Sequence, residues 1–180
     1  MRFSKTLLAA GMAVAMAAPL SAQMAMGMPE SYRTVQMHAL QRQRATLLAM
    51  ADSMPERLYR DKVTPIQRDF AQQVAHVAFA MAYIVPMTMG VPAPAPFDSS
   101  TYLNSRAGLK NYVNGVYDWA EGVLRNQTAA DREASINLMG TPMPRWQVWD
   151  ELHQHTFWTA GQIVANFRKN GMAPPGFGFF

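Results

Sequence analysis

Two histidines, His76 and His155, stand mid-way along apolar, helix-forming segments. Imidazole suits zinc, nickel, iron and copper, and metal sites in helical bundles are built from side chains on facing helices. A catalytic divalent ion usually takes three protein ligands and keeps one position open. Glu151, His155, Thr159 and Gln162 share one face of the last helical segment, at i, i+4, i+8 and i+11. Glu151 is therefore one candidate for a third ligand, and Asp118, on the preceding helix, is another. His153 is two residues from His155 and faces elsewhere. The alternative to a metal site is a pair of hydrogen-bonded core histidines near Tyr83 and Gln162. Residue types and spacing leave both open.

Other chemistry is thinner. Met24, Met26 and Met28 alternate, and Met87 and Met89 lie near a proline-rich stretch. Thioethers suit Cu(I), but methionine is also the common gap-filler of cores and tails. Asn126-Gln-Thr128 matches a glycosylation sequon, a weak motif by itself. There is no phosphate-binding loop, dinucleotide fingerprint or Ser/His/Asp ordering. Zero cysteines exclude disulfides, iron–sulfur clusters and thiol nucleophiles from this chain.

Four helices must position these residues. The first spans about Pro29 to Met50, with Tyr32, Val35, Ala39, Leu40, Leu47 and Met50 as a broken apolar stripe and Gln and Arg on the outer face. The second is expected to start at the capping box Thr64-Pro65-Ile66-Gln67 and to stop before Pro86. It carries one apolar face (Phe70, Val74, Val77, Met81, Ile84) and a second stripe of Gln72, His76, Phe79 and Tyr83, which reads as burial on more than one side. Residues 86–100 hold Pro86, Pro92, Pro94 and Pro96 and read as an extended connection without helix. About 15 extended residues at about 3.1 Å each outrun a 20-residue helix of about 30 Å, so helices two and three can run parallel. The third helix runs from Asn104 or Ser105 to Leu124 and the fourth from Arg145 to Asn170, stopped by Gly171 and sealed by Pro174-Pro175. No strand is expected. The pattern predicts an all-α four-helix bundle with at least one crossover. Gly176-Phe-Gly-Phe-Phe180 forms a short aromatic tail.

The start of the chain has a different purpose. A basic Met1–Lys5 segment, an apolar run to Ala18 and small residues up to Ala22 predict a cleavable signal peptide over 1–22. The apolar run is shorter than the roughly 20 residues a bilayer requires. Export to the periplasm or outside the cell follows, with a single domain over 23–180 and no transmembrane segment in it. Without Arg2 and Lys5, 14 basic residues face 12 acidic ones, a net charge of +2. That balance, with no Lys/Arg run, argues against nucleic acid as a partner.

Two stretches resemble the DinB-like (DinB/YfiT) superfamily of bacterial four-helix bundles. One is Met54-Pro-Glu-Arg-Leu-Tyr…Thr64-Pro-Ile-Gln-Arg-Asp-Phe-Ala-Gln-Gln-Val-Ala-His76. The other is His155-x5-Gly161-Gln-Ile-Val-Ala-Asn-Phe-Arg168-Lys-Asn-Gly171-Met-Ala-Pro-Pro175. The resemblance covers most of the mature chain and implies an up-down-down-up bundle with the long connection between helices two and three. It also implies a three-histidine metal site whose positions here are His76, His155 and Thr159, for a divalent ion such as zinc or nickel. Thr159 departs from the pattern, since a neutral hydroxyl is a poor substitute for imidazole. Members with known activity include metal-dependent thiol transferases, in which the metal lowers the thiol pKa. An exported location speaks against that use, because such thiol pools are mainly cytosolic. The expected function is therefore an exported bundle protein with a partly degenerate histidine site, binding a small molecule or a partner in its cleft. A homodimer is compatible with the chain. The alternative is a metal-dependent transferase or hydrolase with the metal on His76, His155 and Glu151 or Asp118.

Overall fold

The structure is a computed structural model and describes residues 30–96 and 99–176. The expected signal peptide with its cleavage after Ala22, the methionines at 24, 26 and 28, and Phe177–Phe180 of the aromatic tail lie outside the described residues.

Four long helices carry the fold: α1 (Glu30–Ser53), α2 (Phe70–Met89), α4 (Arg106–Asn126) and α6 (Arg145–Lys169). Between them lie a 3-10 turn at Glu56–Leu58, short helices α3 (Ser99–Tyr102) and α5 (Ala129–Glu133), and strands β1 (Ser135–Leu138) and β2 (Thr141–Pro144). Side-chain pairs give the direction of each helix. Tyr32 meets Trp146 early in α1 and α6, and Gln43 meets His153 further along both, so these two run parallel. Arg33 reaches Arg125 while Lys110 reaches Asp52, so α4 runs against α1. Gln73 pairs with Gln162 and His76 with His155, so α2 runs against α6. Helices α2 and α4 are therefore parallel, and the order is up-down-down-up, the topology that the length of the proline-rich connection permits.

The core is one cluster drawn from all four helices, including Leu40, Leu47, Met54, Phe70, Val77, Met81, Val113, Tyr117, Trp149, Ile163 and Phe167. Tyr59, Phe70 and Phe167 close one end of it, with ring centroids 5.2 and 5.8 Å apart.

Six expectations need correction. Helix α2 does not start at Thr64; Thr64–Gln67 is one isolated turn with Ile66 fully exposed. The start is at Asp69, where Gln72 N–H donates to Asp69 Oδ1 at 2.8 Å and Asp69 N–H donates to Gln72 Oε1 at 3.1 Å. Both segments satisfy the capping-box pattern, and the one that places Phe70 in the core prevails. Pro86 does not end the helix, which continues to Met89 and closes on Gly90 in the left-handed region (φ 67°). A proline costs its own hydrogen bond to the preceding turn, but its φ is helical, so one more turn can follow. The short helix α3 likewise interrupts the expected extended connection. The second stripe of α2 is not buried: Phe79 and Tyr83 are 52% and 56% exposed. On α1 Val35 is exposed, whereas Gln36 and Gln43, expected outside, are buried, so the core stripe is Gln36, Leu40, Gln43, Leu47, Met50 and Met54.

The hairpin is the sixth. β1 and β2 pair antiparallel, Ile136 opposite Met143, across Met139-Gly140, both at positive φ (52° and 93°). Gly140 N–H donates to Asn137 Oδ1 at 2.7 Å. Four-residue strands containing Pro142 and Pro144 carry too little period-two pattern to be read from sequence. Helix α6 ends as expected: Gly171 sits at φ 67°, its N–H bonds Arg168 O, and Met172 N–H bonds Phe167 O, a Schellman motif.

Candidate functional site

His76 lies near the middle of α2 and His155 near the middle of α6. The antiparallel packing of these helices brings their Nε2 atoms to 3.2 Å, with ring centroids 5.0 Å apart and planes at 70°. Both rings are half-buried. Burial lowers the His76 pKa from 6.5 to about 4, helped by the Arg68 charge and by His155. Burial and then Arg68 lower that of His155. At neutral pH both rings are uncharged, so one Nε2–H donates to the other's lone pair. His155 Nδ1 is buried with no hydrogen-bond partner among the described residues.

Around this pair the helices splay into a cleft of about 290 Å³, walled by Phe79, Tyr83 and Ile84 from α2, Glu151 and His155 from α6, and Leu138 and Met139 from the hairpin. The walls are overwhelmingly apolar. His76, Phe79 and Tyr83 recur at i, i+3 and i+7 and form a ladder of near-parallel rings, with interplanar angles of 23° and 15°. A second groove, also about 290 Å³, opens on the other side of His76, with Arg68, Gln72 and Tyr102 on its walls. The expected partners of the histidines divide accordingly. Tyr83 lines the cleft, whereas Gln162 accepts from Gln73 Nε2 at 2.9 Å, one turn further along.

The third-ligand candidates fare unequally. Glu151 lines the cleft with both histidines. Asp118 does not come near them; it is held by Arg44 at 2.6 Å between α4 and α1. Thr159 is buried, 1% exposed. No cluster of three His, Asp or Glu side chains suited to a metal ion occurs among the described residues.

The DinB superfamily's sequence model matches residues 39–167, more than two thirds of the chain. The chain belongs to the DinB superfamily. Its fold is similar to the crystal structure of a DinB-like protein from Bacillus cereus: TM-score 0.64, 17% identity, covering 78% of this chain and 94% of that one. None of the curated proteins matches it in sequence. His76 and His155, which the sequence resemblance singled out, meet each other, whereas Thr159 is buried and lines neither groove.

Two features of the region were not expected from sequence. Arg68 joins Gln72 and His76 on the second groove, and its cue is the i, i+4, i+8 spacing with them. The other feature is on the opposite side of α6. His153, buried, receives Gln43 Nε2–H on Nδ1 at 2.6 Å and donates Nε2–H to Gln36 Oε1. Gln36 Nε2 in turn donates to Asp150 at 2.6 Å. Burial lowers its pKa to about 4 against the pull of Asp150. That pattern of donors selects the neutral Nε2–H tautomer.

Proposed function

We propose that this DinB-superfamily bundle is an exported binding protein. Its cleft between α2, α6 and the hairpin holds a small molecule against the His76–His155 pair. The observation that carries this is the pair itself: two neutral imidazoles 3.2 Å apart at the wall of an open apolar cleft. Ligand clefts are largely apolar with a few convergent polar groups, and perturbed titratable groups concentrate there. A structural histidine pair would be packed over, not lined by exposed Phe79, Tyr83 and Met139. A fragment screen by ligand-observed NMR tests the reading. Fragments should bind the protein and be lost in His155→Ala with the fold retained. Binding that survives both His155→Ala and His76→Ala places the ligand elsewhere and overturns the reading. Export is tested separately, by sequencing the N-terminus of the periplasmic form, which should begin at Gln23.

The same distance favours a second reading, in which His76, His155 and Glu151 hold a divalent ion. Two nitrogens each about 2.1 Å from one tetrahedral ion stand about 3.4 Å apart, close to the separation seen. Such an ion supplies Lewis acidity and lowers the pKa of a bound water or thiol. The fit is partial. Thr159 supplies no imidazole, and His155 Nδ1 has no hydrogen-bond acceptor among the described residues to orient a ligating ring. Elemental analysis decides: stoichiometric zinc or nickel that disappears in His76→Ala supports it, and no uptake at micromolar metal sinks it.

A further inference from the structure

The two grooves that meet at His76 have unlike chemistry. His76 and Phe79 wall both. The first is apolar, and its ionisable groups besides the histidines are the Glu151 carboxyl and the Tyr83 phenol. The second carries Arg68, an exposed guanidinium with no ion-pair or hydrogen-bond partner among the described residues. The nearby carboxylate of Asp69 does not compensate it, because Asp69 is buried and paired with Arg60 at 2.8 Å. Gln72, on the same groove, is oriented by its capping role: Oε1 accepts the Asp69 N–H at 3.1 Å. An amide with its oxygen committed still offers two N–H donors. One cation without an ion-pair partner among the described residues and one donor-only amide thus face a groove that shares His76 and Phe79 with the cleft of the ring ladder.

We propose that the natural ligand class of this cleft is an amphipathic monocarboxylate. Its carboxylate sits on Arg68 and Gln72, and its flat or aliphatic body lies across Phe79 and Tyr83 towards Met139. This rests on the small-molecule reading above and adds the ligand's charge and orientation. A guanidinium fork matches a carboxylate in a bidentate arrangement, and the Gln72 amide adds a third donor. A dianion such as a phosphate monoester would call for more than one cation. Glu151 fixes the direction, since its negative charge in the apolar groove repels an anionic head there. The aromatic ladder offers face-on contact to a planar or methylene body.

A matched pair of probes tests this: 4-phenylbutyrate and 4-phenylbutanol, the same skeleton with and without the charge, titrated into the purified protein by two-dimensional NMR. The acid is expected to shift the amides around Arg68, Gln72, His76 and Phe79 and to bind about tenfold tighter than the alcohol. Arg68→Gln, an exposed change that leaves the fold intact, should erase that difference by weakening only the acid. Equal affinity for acid and alcohol, or a preference unchanged in Arg68→Gln, overturns the carboxylate assignment while the cleft reading stands if both probes still move His76 and Phe79. If neither probe moves those amides at millimolar concentration, the carboxylate assignment falls. A fragment screen that also finds nothing lost in His155→Ala then removes the cleft reading with it.

Discussion

His153 and His155 are two residues apart on one helix, and their surroundings are opposites. His153 points into the α1–α6 interface, where both ring nitrogens are engaged by glutamine amides. His155 points to α2, where one nitrogen meets another imidazole and the other has no partner among the described residues. A saturated ring welds two helices, because removing it strands its partners in a low-dielectric core. An unsaturated ring beside an open cleft keeps bonding capacity for something that arrives later. The same residue type on the same helix is thus structural on one face and available on the other.

Substitution of His153 should break the comparison most visibly. His153→Ala leaves Gln36 Oε1 and Gln43 Nε2 without their partner in the core and opens a cavity, and is expected to cost about 3 kcal/mol in urea unfolding. His155→Ala should cost under about 1 kcal/mol while abolishing cleft binding. Equal losses from the two would erase the distinction between the two rings. Thr159→His comes next in size. Because Thr159 is buried, the larger ring should destabilise the bundle by about 1–3 kcal/mol. If the site is a degenerate metal site, the variant should also take up zinc that the parent lacks, measured by elemental analysis.

Acid should act on both histidine sites. His76 and His153 have folded-state pKa values lowered to about 4 and His155 is lowered too, whereas the unfolded rings titrate near 6.5. The unfolded chain therefore binds more protons in that window. The stability contributed by the neutral rings is complete above pH 6.5 and drains away as pH falls towards 4. A Tm profile should decline over that interval, and less steeply in a His76→Gln/His155→Gln variant. A profile equally steep in that variant would assign the acid response to His153 and the carboxylates alone. Smallest of all, Arg68→Gln should leave Tm within about 1 °C of the parent, since Arg68 is exposed and has no hydrogen-bond or ion-pair partner among the described residues.

Much of the bundle was legible because it follows from periodicity. The extents of α4 and α6, to within about two residues, and the Gly171 stop come from local rules that the chain obeys. So does the crossover, since its length exceeds what a hairpin between α2 and α4 would need. The site was half legible: His76 and His155 stand out as polar residues on apolar helices, and Glu151 shares the His155 face. What was hidden has a common cause. Gln36 and Gln43 look like surface residues until each bonds a ring nitrogen of His153, and Phe79 and Tyr83 look like core until no described element covers them. The hairpin that supplies Leu138 and Met139 to the cleft is too short to announce itself.

Composition and spacing alone determined that the chain is helical, where three of the four long helices stop, and that two histidines sit on helices able to face each other. Only the tertiary structure decided which capping box starts α2, which side of α6 is sealed, and that Asp118 goes to Arg44 and not to the histidines. The reason is physical. Local periodicity specifies a helix and its possible faces at fractions of a kcal/mol per residue. The burial of whole side chains such as Phe70 and Trp149, at about 2–3 kcal/mol each, selects among those faces.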